Sequence, residues 1–338
     1  MPEPILVTGA AGFIGFHLAR RLLADGCSVV GIDNLSNYYD VRLKAARLSE
    51  LKRSSNFRFT QCDLADRGVT AGIFAQERFS NVVHLAAQAG VAHSADNPAS
   101  YVDANLVGFA NILEGCRHAQ SRHLVYASSS SVYGANRNMP LRVTDRADEP
   151  LSLYGATKRA NELMAHAYAH SFALPATGLR FFTVYGPWGR PDMAVWLFTK
   201  AILDGKPVRL FNRGQMRRDF TYVNDVIEAV VRLIGQPPAG ASAGGGAHTD
   251  TGSATTHRIY NVGNGHPVEI TELVDILEKI ISMRAQRELL PMRPVDVLET
   301  FADSSDLERA VGFRPDTPIE GGLRRFVDWY REYRRQAE

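Results

Sequence analysis

Tyr154 and Lys158 stand four residues apart in Tyr154-Gly155-Ala156-Thr157-Lys158, where a helical segment opens. On a helix this spacing puts a phenol and an ammonium on one face, within reach of a single ligand. A cation beside a phenol favours phenolate and draws its pKa from about 10 towards neutrality, where it can act as a general base. Alone, such a pair also fits an ordinary surface helix. Upstream, Ala127-Ser128-Ser129-Ser130-Ser131-Val132-Tyr133-Gly134 closes an apolar run. Hydroxyls at the carboxyl end of a strand face the crevice where α/β proteins bind ligands. One of these serines is therefore a candidate partner for a reacting hydroxyl or ketone, with a polar turn as the alternative for any one of them.

A second constellation binds rather than reacts. Thr8-Gly9-Ala10-Ala11-Gly12-Phe13-Ile14-Gly15 follows the first apolar run and leads into a helix. The spacing is G-x-x-G-x-x-G. Gly9, Gly12 and Gly15 allow a tight turn and close backbone approach to a pyrophosphate, which meets the free N–H groups and positive dipole of the helix start. Asp33 ends the second run, 18 residues after Gly15. A carboxylate there accepts from both ribose hydroxyls of an adenosine and repels a 2′-phosphate, favouring NAD over NADP, although Arg42 and Lys44 soften that preference. A capping Asp in a nucleotide-free domain is the competing assignment. Asp63 is an adenine neighbour or a turn residue.

Short β-rich runs at 5–8, 29–33, 57–62, 82–86, 124–128 and 176–181 alternate with helical stretches at 13–24, 41–51 and 101–117. The runs read as apolar on both faces. This pattern predicts an α/β fold: a Rossmann-type doubly wound parallel sheet with a smaller α/β C-terminal substrate domain. Beyond residue 180, Gly-Pro punctuation breaks the rhythm, with helices predicted near 223–234, 272–281 and 321–333. The expected division is 1–180 for the dinucleotide, with 223–262 returning to it, and 181–222 with 263–338 for the substrate. The Gly/Ala/Ser/Thr-rich stretch 237–256 reads as a flexible loop. His84, inside a strand, reads as core.

Among 338 residues the net charge is +2, which indicates neither a nucleic-acid binder nor an acidic tail protein. Of 38 basic residues only 6 are Lys, a bias that suits anionic ligands or reflects genome composition. Cys27, Cys62 and Cys116 show no metal-ligand spacing and read as buried thiols in a reducing compartment. No metal is expected. With no leader and no membrane-length apolar run, a cytoplasmic protein is expected.

The order TGxxGxxG, strand-end Asp, SSSSVYG and YxxxK resembles the extended short-chain dehydrogenase/reductases of the NAD-dependent epimerase/dehydratase family, across essentially the whole chain. The resemblance implies NAD as cofactor, held by Gly9, Gly12, Phe13, Ile14, Gly15, Asp33, Asn34, Asp63, Leu64, Ala86, Ala87, Tyr154 and Lys158. It implies a triad of Ser129, Tyr154 and Lys158, and a homodimer formed through a helix bundle that includes the Tyr154 helix. Segments 33–41, 184–194 and 216–222 look like those of UDP-glucuronate 4-epimerases. That likeness implies a UDP-sugar substrate, no net redox and a transient 4-keto sugar. Its carboxylate would fall to Ser130, Ser131 and Thr183, its diphosphate to Arg218 and Arg293, its uridine ribose to Asp296 and its uracil to 208–211, bounded by Val208 and Phe211. Arg190 would line the sugar-phosphate region. Related dehydratases and UDP-glucuronate decarboxylases carry acidic residues where this chain has Ser130 and Ser131, which favours epimerisation. Epimerisation of neutral UDP-hexoses, decarboxylation and a non-catalytic NAD-binding regulator are the competing functions.

Overall fold

The computed structural model describes residues 3–239 and 256–337. Most of the 237–256 stretch lies outside them. Seven strands, β1 (Ile5–Thr8), β2 (Val29–Asp33), β3 (Phe57–Gln61), β4 (Asn81–His84), β5 (His123–Ser129), β6 (Ala176–Phe181) and β10 (His257–Val262), form one sheet in the order β10-β6-β5-β4-β1-β2-β3. Every pairing in it is parallel. Strands bury alternate residues on opposite faces. Val7, Val29, Val83, Val125 and Leu179 enter one apolar cluster, and Leu6, Val30, Val82 and Leu124 enter another. Helices α1 (Phe13–Ala24) and Val223–Ile234 pack together, as do α3 (Arg67–Gln76) and Gly108–Ala119. The result is a Rossmann-type doubly wound sheet. Its strand order reverses between β1 and β4, where such folds open a ligand crevice.

Three expectations need correction. Strand β3 is not apolar on both faces: Arg58, Thr60 and Gln61 are exposed, because β3 is the sheet edge. The helix expected over 101–117 is instead a short helix to Tyr101, a π-helical turn over Val102–Val107, and a helix over Gly108–Ala119. The wider turn holds Asn105 inward, 1% exposed, with its side-chain amide on the Gln88 carbonyl and Thr157 Oγ1, both at 3.0 Å. The thiols differ as well. Cys116 is buried, but Cys27 and Cys62 are only partly so.

The smaller lobe contains β7 (Thr183–Tyr185), β9 (Arg217–Tyr222) and β11 (Pro267–Glu269) in one sheet, and β8 (Val208–Leu210) paired with β12 (Arg287–Leu289). An aromatic cluster fastens it to its C-terminal helix, with Trp196 and Tyr330 rings 5.1 Å apart and Trp188 and Trp329 rings 5.3 Å apart. The helix Leu153–Phe172 is fixed beneath the sheet by a buried charge network. Arg180 grips Glu162 with two bonds of 2.8 and 2.9 Å, and Ser128 donates to the same carboxylate at 2.6 Å. These bonds hold the Glu162 carboxyl below the usual range despite its burial. Glu162→Ala leaves the Arg180 guanidinium buried without a counter-charge. The expected loss is about 3–5 kcal/mol of stability, measured by urea unfolding, with an unchanged midpoint as the contrary result.

Candidate active site

The glycine turn is dictated by contact. A Cβ on Gly15 would lie 2.1 Å from the Gly9 carbonyl oxygen, and one on Gly12 would lie 2.9 Å from it. Gly9 takes φ +70°, and a Cβ there would meet the Ala86 nitrogen at 2.8 Å. Helix α1 therefore starts directly against the end of β1, and no side chain caps its first turn. Bare amides at a helix start, with no Cβ to keep a ligand away, fit a dinucleotide pyrophosphate. Asp33 already accepts from the Ala11 amide at 3.2 Å and the Leu35 amide at 2.8 Å, and Lys44 Nζ lies 3.6 Å from it. Asn34 donates to Asp63 at 3.1 Å, and Asp63 also caps the Ala65 amide at 2.9 Å. Gly9, Gly12, Phe13, Ile14, Gly15, Asp33, Asn34, Asp63, Leu64, Ala86 and Ala87 line one cleft, which reaches Tyr154, Lys158 and Ser129. Cys62 lines it too, with burial pushing its thiol up to about 11.

The serine run divides its labour. Ser128 is committed to Glu162, whereas Ser129, at the last residue of β5, accepts the Ser131 amide at 3.1 Å and hydrogen-bonds the Tyr154 phenol. Ser152 caps the Tyr154 helix by accepting the Gly155 amide at 3.1 Å. Lys158 is 1% exposed and donates to the Ala127 carbonyl at 2.9 Å. Burial pulls its ammonium down to about 8. Burial raises the Tyr154 phenol above its ordinary value, while the Arg190 guanidinium and the Ser129 hydrogen bond oppose that rise. Arg190 is the cation that opposes the rise of the phenol, and Lys158 donates to the end of β5. His84 is buried, bonded to Thr8 Oγ1 at 2.9 Å, with its pKa pulled down to about 3, so it is a neutral core group.

A second cleft of about 910 Å³ adjoins the first. Ser130, Ser131, Thr183 and Arg190 line both clefts, and Val208, Phe211, Arg218, Arg293 and Asp296 line the second. Arg293 forks onto Asp296 at 2.8 and 2.9 Å and lies 4.2 Å over the Phe211 ring. Arg218 donates to the Arg217 and Leu298 carbonyls at 2.9 and 3.3 Å. Arg190 forks onto Asp192 at 3.0 and 2.5 Å, and Tyr38 donates to Asp192 at 3.1 Å. Tyr38, Asp192 and Asn105 were missed from sequence. Tyr38 meets Asp192, and Asn105 meets Thr157, across long stretches of chain that no local pattern marks.

The residues therefore supply a dinucleotide cradle, a partly buried phenol with a hydroxyl and a guanidinium beside it, and a neighbouring cleft rich in guanidinium groups. A probable UDP-glucuronate 4-epimerase of Rhizobium meliloti (strain 1021) is 47% identical over 334 residues, 98% of each chain. The structure of a UDP-glucuronic acid 4-epimerase from Bacillus cereus, in complex with UDP-glucuronic acid and NAD, superposes with a TM-score of 0.87 at 32% identity, covering 98% of this chain and 99% of that one. A UDP-glucose 4-epimerase from Thermotoga maritima superposes with a TM-score of 0.84 at 29% identity, covering 98% of this chain and 99% of that one. The profile of the NAD dependent epimerase/dehydratase family matches residues 5–263, and the chain belongs to that family.

Proposed function

We propose that this protein is an NAD-dependent UDP-glucuronate 4-epimerase, inverting C4 of UDP-glucuronate to give UDP-galacturonate. The observation that carries this is the wall shared by the two clefts. Tyr38, Ser130, Ser131 and Thr183 bring hydroxyls to it, Arg190 brings a positive charge, and no carboxylate is among the residues lining both clefts. A sugar carboxylate meets donors there, whereas a glutamate in place of Ser131 would repel it. The substrate named for the Rhizobium and Bacillus relatives agrees.

Held by the Gly9–Gly15 turn and Asp33, NAD would supply a hydride acceptor and donor for C4 of the sugar, with no net redox. Tyr154 accepts the proton of the 4-hydroxyl as C4 is oxidised and gives it back after the keto sugar has turned its other face. Ser129 bridges the phenol and the same substrate oxygen. Lys158 keeps a positive charge beneath the pair and holds the nicotinamide ribose. The 4-keto-6-carboxylate is a β-keto acid, and it loses CO2 when the breaking C–C bond aligns with the carbonyl π system. Ser130, Ser131 and Thr183 hold the carboxylate out of that alignment. Arg218 and Arg293 receive the diphosphate, Asp296 the uridine ribose, and Val208 and Phe211 border the uracil. In this division of labour 1–180 with 223–262 carries NAD, and 181–222 with 263–338 carries the sugar nucleotide.

Leu163 is 56% exposed on the helix Leu153–Phe172, and we assign its side of the helix to the two-fold contact of a homodimer. We place the protein in the cytoplasm, where its three free thiols stay reduced. Among the described residues no helix is long and apolar enough to cross a membrane.

Purified protein given UDP-glucuronate should produce UDP-galacturonate to a steady ratio in an NMR time course, and Tyr154→Phe should lose at least about a thousandfold in rate. A pentose nucleotide with CO2 would mean decarboxylation. Turnover of UDP-glucose alone would move the substrate to a neutral hexose. With Lys158 held near 8, kcat should fall as pH rises through that value and the ammonium loses its proton, and Lys158→Met should abolish this limb. An alkaline limb surviving in Lys158→Met would assign it elsewhere. Leu163→Glu should turn a dimer into a monomer in sedimentation, and a wild-type monomer would refute the contact.

A further inference from the structure

Arg190 ends a loop whose backbone is gripped from the other lobe. Three consecutive carbonyls preceding it, those of Pro187, Trp188 and Gly189, all accept from side chains of the first two helices. His17 of α1 donates Nε2–H to Pro187 at 2.8 Å. Arg47 of α2 (Val41–Leu51) donates one Nη to Trp188 at 2.5 Å and, more weakly, to Gly189 at 3.4 Å. Its other Nη donates to Ala11 of the glycine turn at 2.8 Å and to the Tyr39 hydroxyl at 2.7 Å. A carbonyl can only accept, so His17 is the neutral tautomer protonated on Nε2. Burial pulls its pKa down to about 3, which keeps it neutral.

The grip is unusual in two respects. Arg47 is fully buried, with 0% exposure and no ion pair among the described residues, and its Nε–H has no partner. A charge taken out of water without a counter-ion is costly, so it survives only where several acceptors share it. The loop is itself strained: Trp188 holds φ +61°, a region that bulky residues avoid unless their surroundings fix them. Its ring is fixed against Phe16 at 5.3 Å and Trp329 at 5.3 Å.

We propose that Arg47 and His17 are positioning residues that hold the 187–189 backbone so that Arg190 stands over the junction of the two clefts, beside Tyr154. The proposal rests on the epimerase assignment above for its kinetics but not for its geometry. The pyrophosphate turn and the Arg190 loop share one guanidinium, so a change on either side of the molecule is felt at the other. The groups facing Tyr154 are Ser129, Tyr101 and Arg190, with Tyr38, Asp192 and His93 behind them and Lys158 lining the same cleft. A guanidinium near a phenol favours phenolate. If the loop loosens and Arg190 withdraws, the Tyr154 pKa rises and the acid limb of kcat moves to higher pH.

The test combines His17→Phe, which keeps a ring and removes the donor, with Arg47→Lys, Arg190→Met and the double variant His17→Phe/Arg190→Met. Tyr154 ionisation is read by ultraviolet difference titration against Tyr154→Phe in NAD-saturated protein without substrate. The acid limb of kcat is read separately. His17→Phe and Arg47→Lys should each raise the titration by roughly one unit, His17→Gln should restore it, and the double variant should shift no further than Arg190→Met alone. A folded His17→Phe protein with unmoved titration, or additive shifts in the double variant, overturns the proposal. If Arg47→Lys fails to fold, the His17 series decides. A wild-type protein inactive on UDP-glucuronate would sink the assigned substrate, while the titration would still answer for the loop.

Discussion

The contact between α1 and the end of β1 is the constraint from which the rest of the site follows. With the Gly15 position only 2.1 Å from the Gly9 carbonyl for any added Cβ, a single methyl there would push the helix off the strand. Because the helix sits so close, the Ala10 amide reaches the Ile32 carbonyl at 3.1 Å and the Ala11 amide reaches Asp33 at 3.2 Å. The turn thereby fixes the strand-end carboxylate that lines the cleft. The same turn offers the Ala11 carbonyl to Arg47, whose guanidinium continues into the second lobe. Strand order supplies a crevice at this edge, and the glycine contact decides what fits inside it.

Burial governs the reacting pair. It raises the Tyr154 phenol and lowers the Lys158 ammonium, disfavouring the charged form of each and moving the two titrations apart. Positive charge is what tips the phenol towards its basic form, so the arrangement of fixed cations around Tyr154 matters more than any one of them. Arg190 contributes from the second lobe, but Asp192 grips its guanidinium at two points and tempers its charge. A fully exposed cation of that kind would bind a sugar carboxylate strongly in both ground state and keto intermediate, without favouring reaction.

Local patterns announced the nucleotide half of the site. The glycine triplet, Asp33, the serine run and the Tyr154–Lys158 spacing each occupy a few consecutive residues, and the alternation of strand and helix gave their context. The division between Ser128 and Ser129 is not local. It depends on Glu162, one helical turn beyond Lys158, turning under the sheet to collect Ser128 and Arg180. Tyr38 with Asp192, His17 with Pro187 and Arg47 with Trp188 are joined across more than a hundred residues each. Their sequence neighbourhoods read as plain helix or loop, because the signal lies in which carbonyls point at them. The edge strand β3 was misread for a related reason: apolar alternation does not report whether a strand has a neighbour on both sides.

The arginine bias, open to two explanations from composition alone, separates into two populations. Surface pairs such as Arg42 with Asp40 or Arg324 with Glu320 are solvated and contribute little. Arg47, Arg180 and Arg190 are different, because each uses the planar fork to meet several fixed acceptors at once. Arg180 takes both oxygens of Glu162, Arg190 takes both of Asp192, and Arg47 joins backbone carbonyls from two segments to a tyrosine hydroxyl. A lysine carries its charge on one flexible point and cannot span those acceptors. Genome composition accounts for the first population without help. The second is set by geometry: Arg180 fastens the Leu153–Phe172 helix to the sheet, and Arg47 fastens the loop at the cleft junction to the glycine turn.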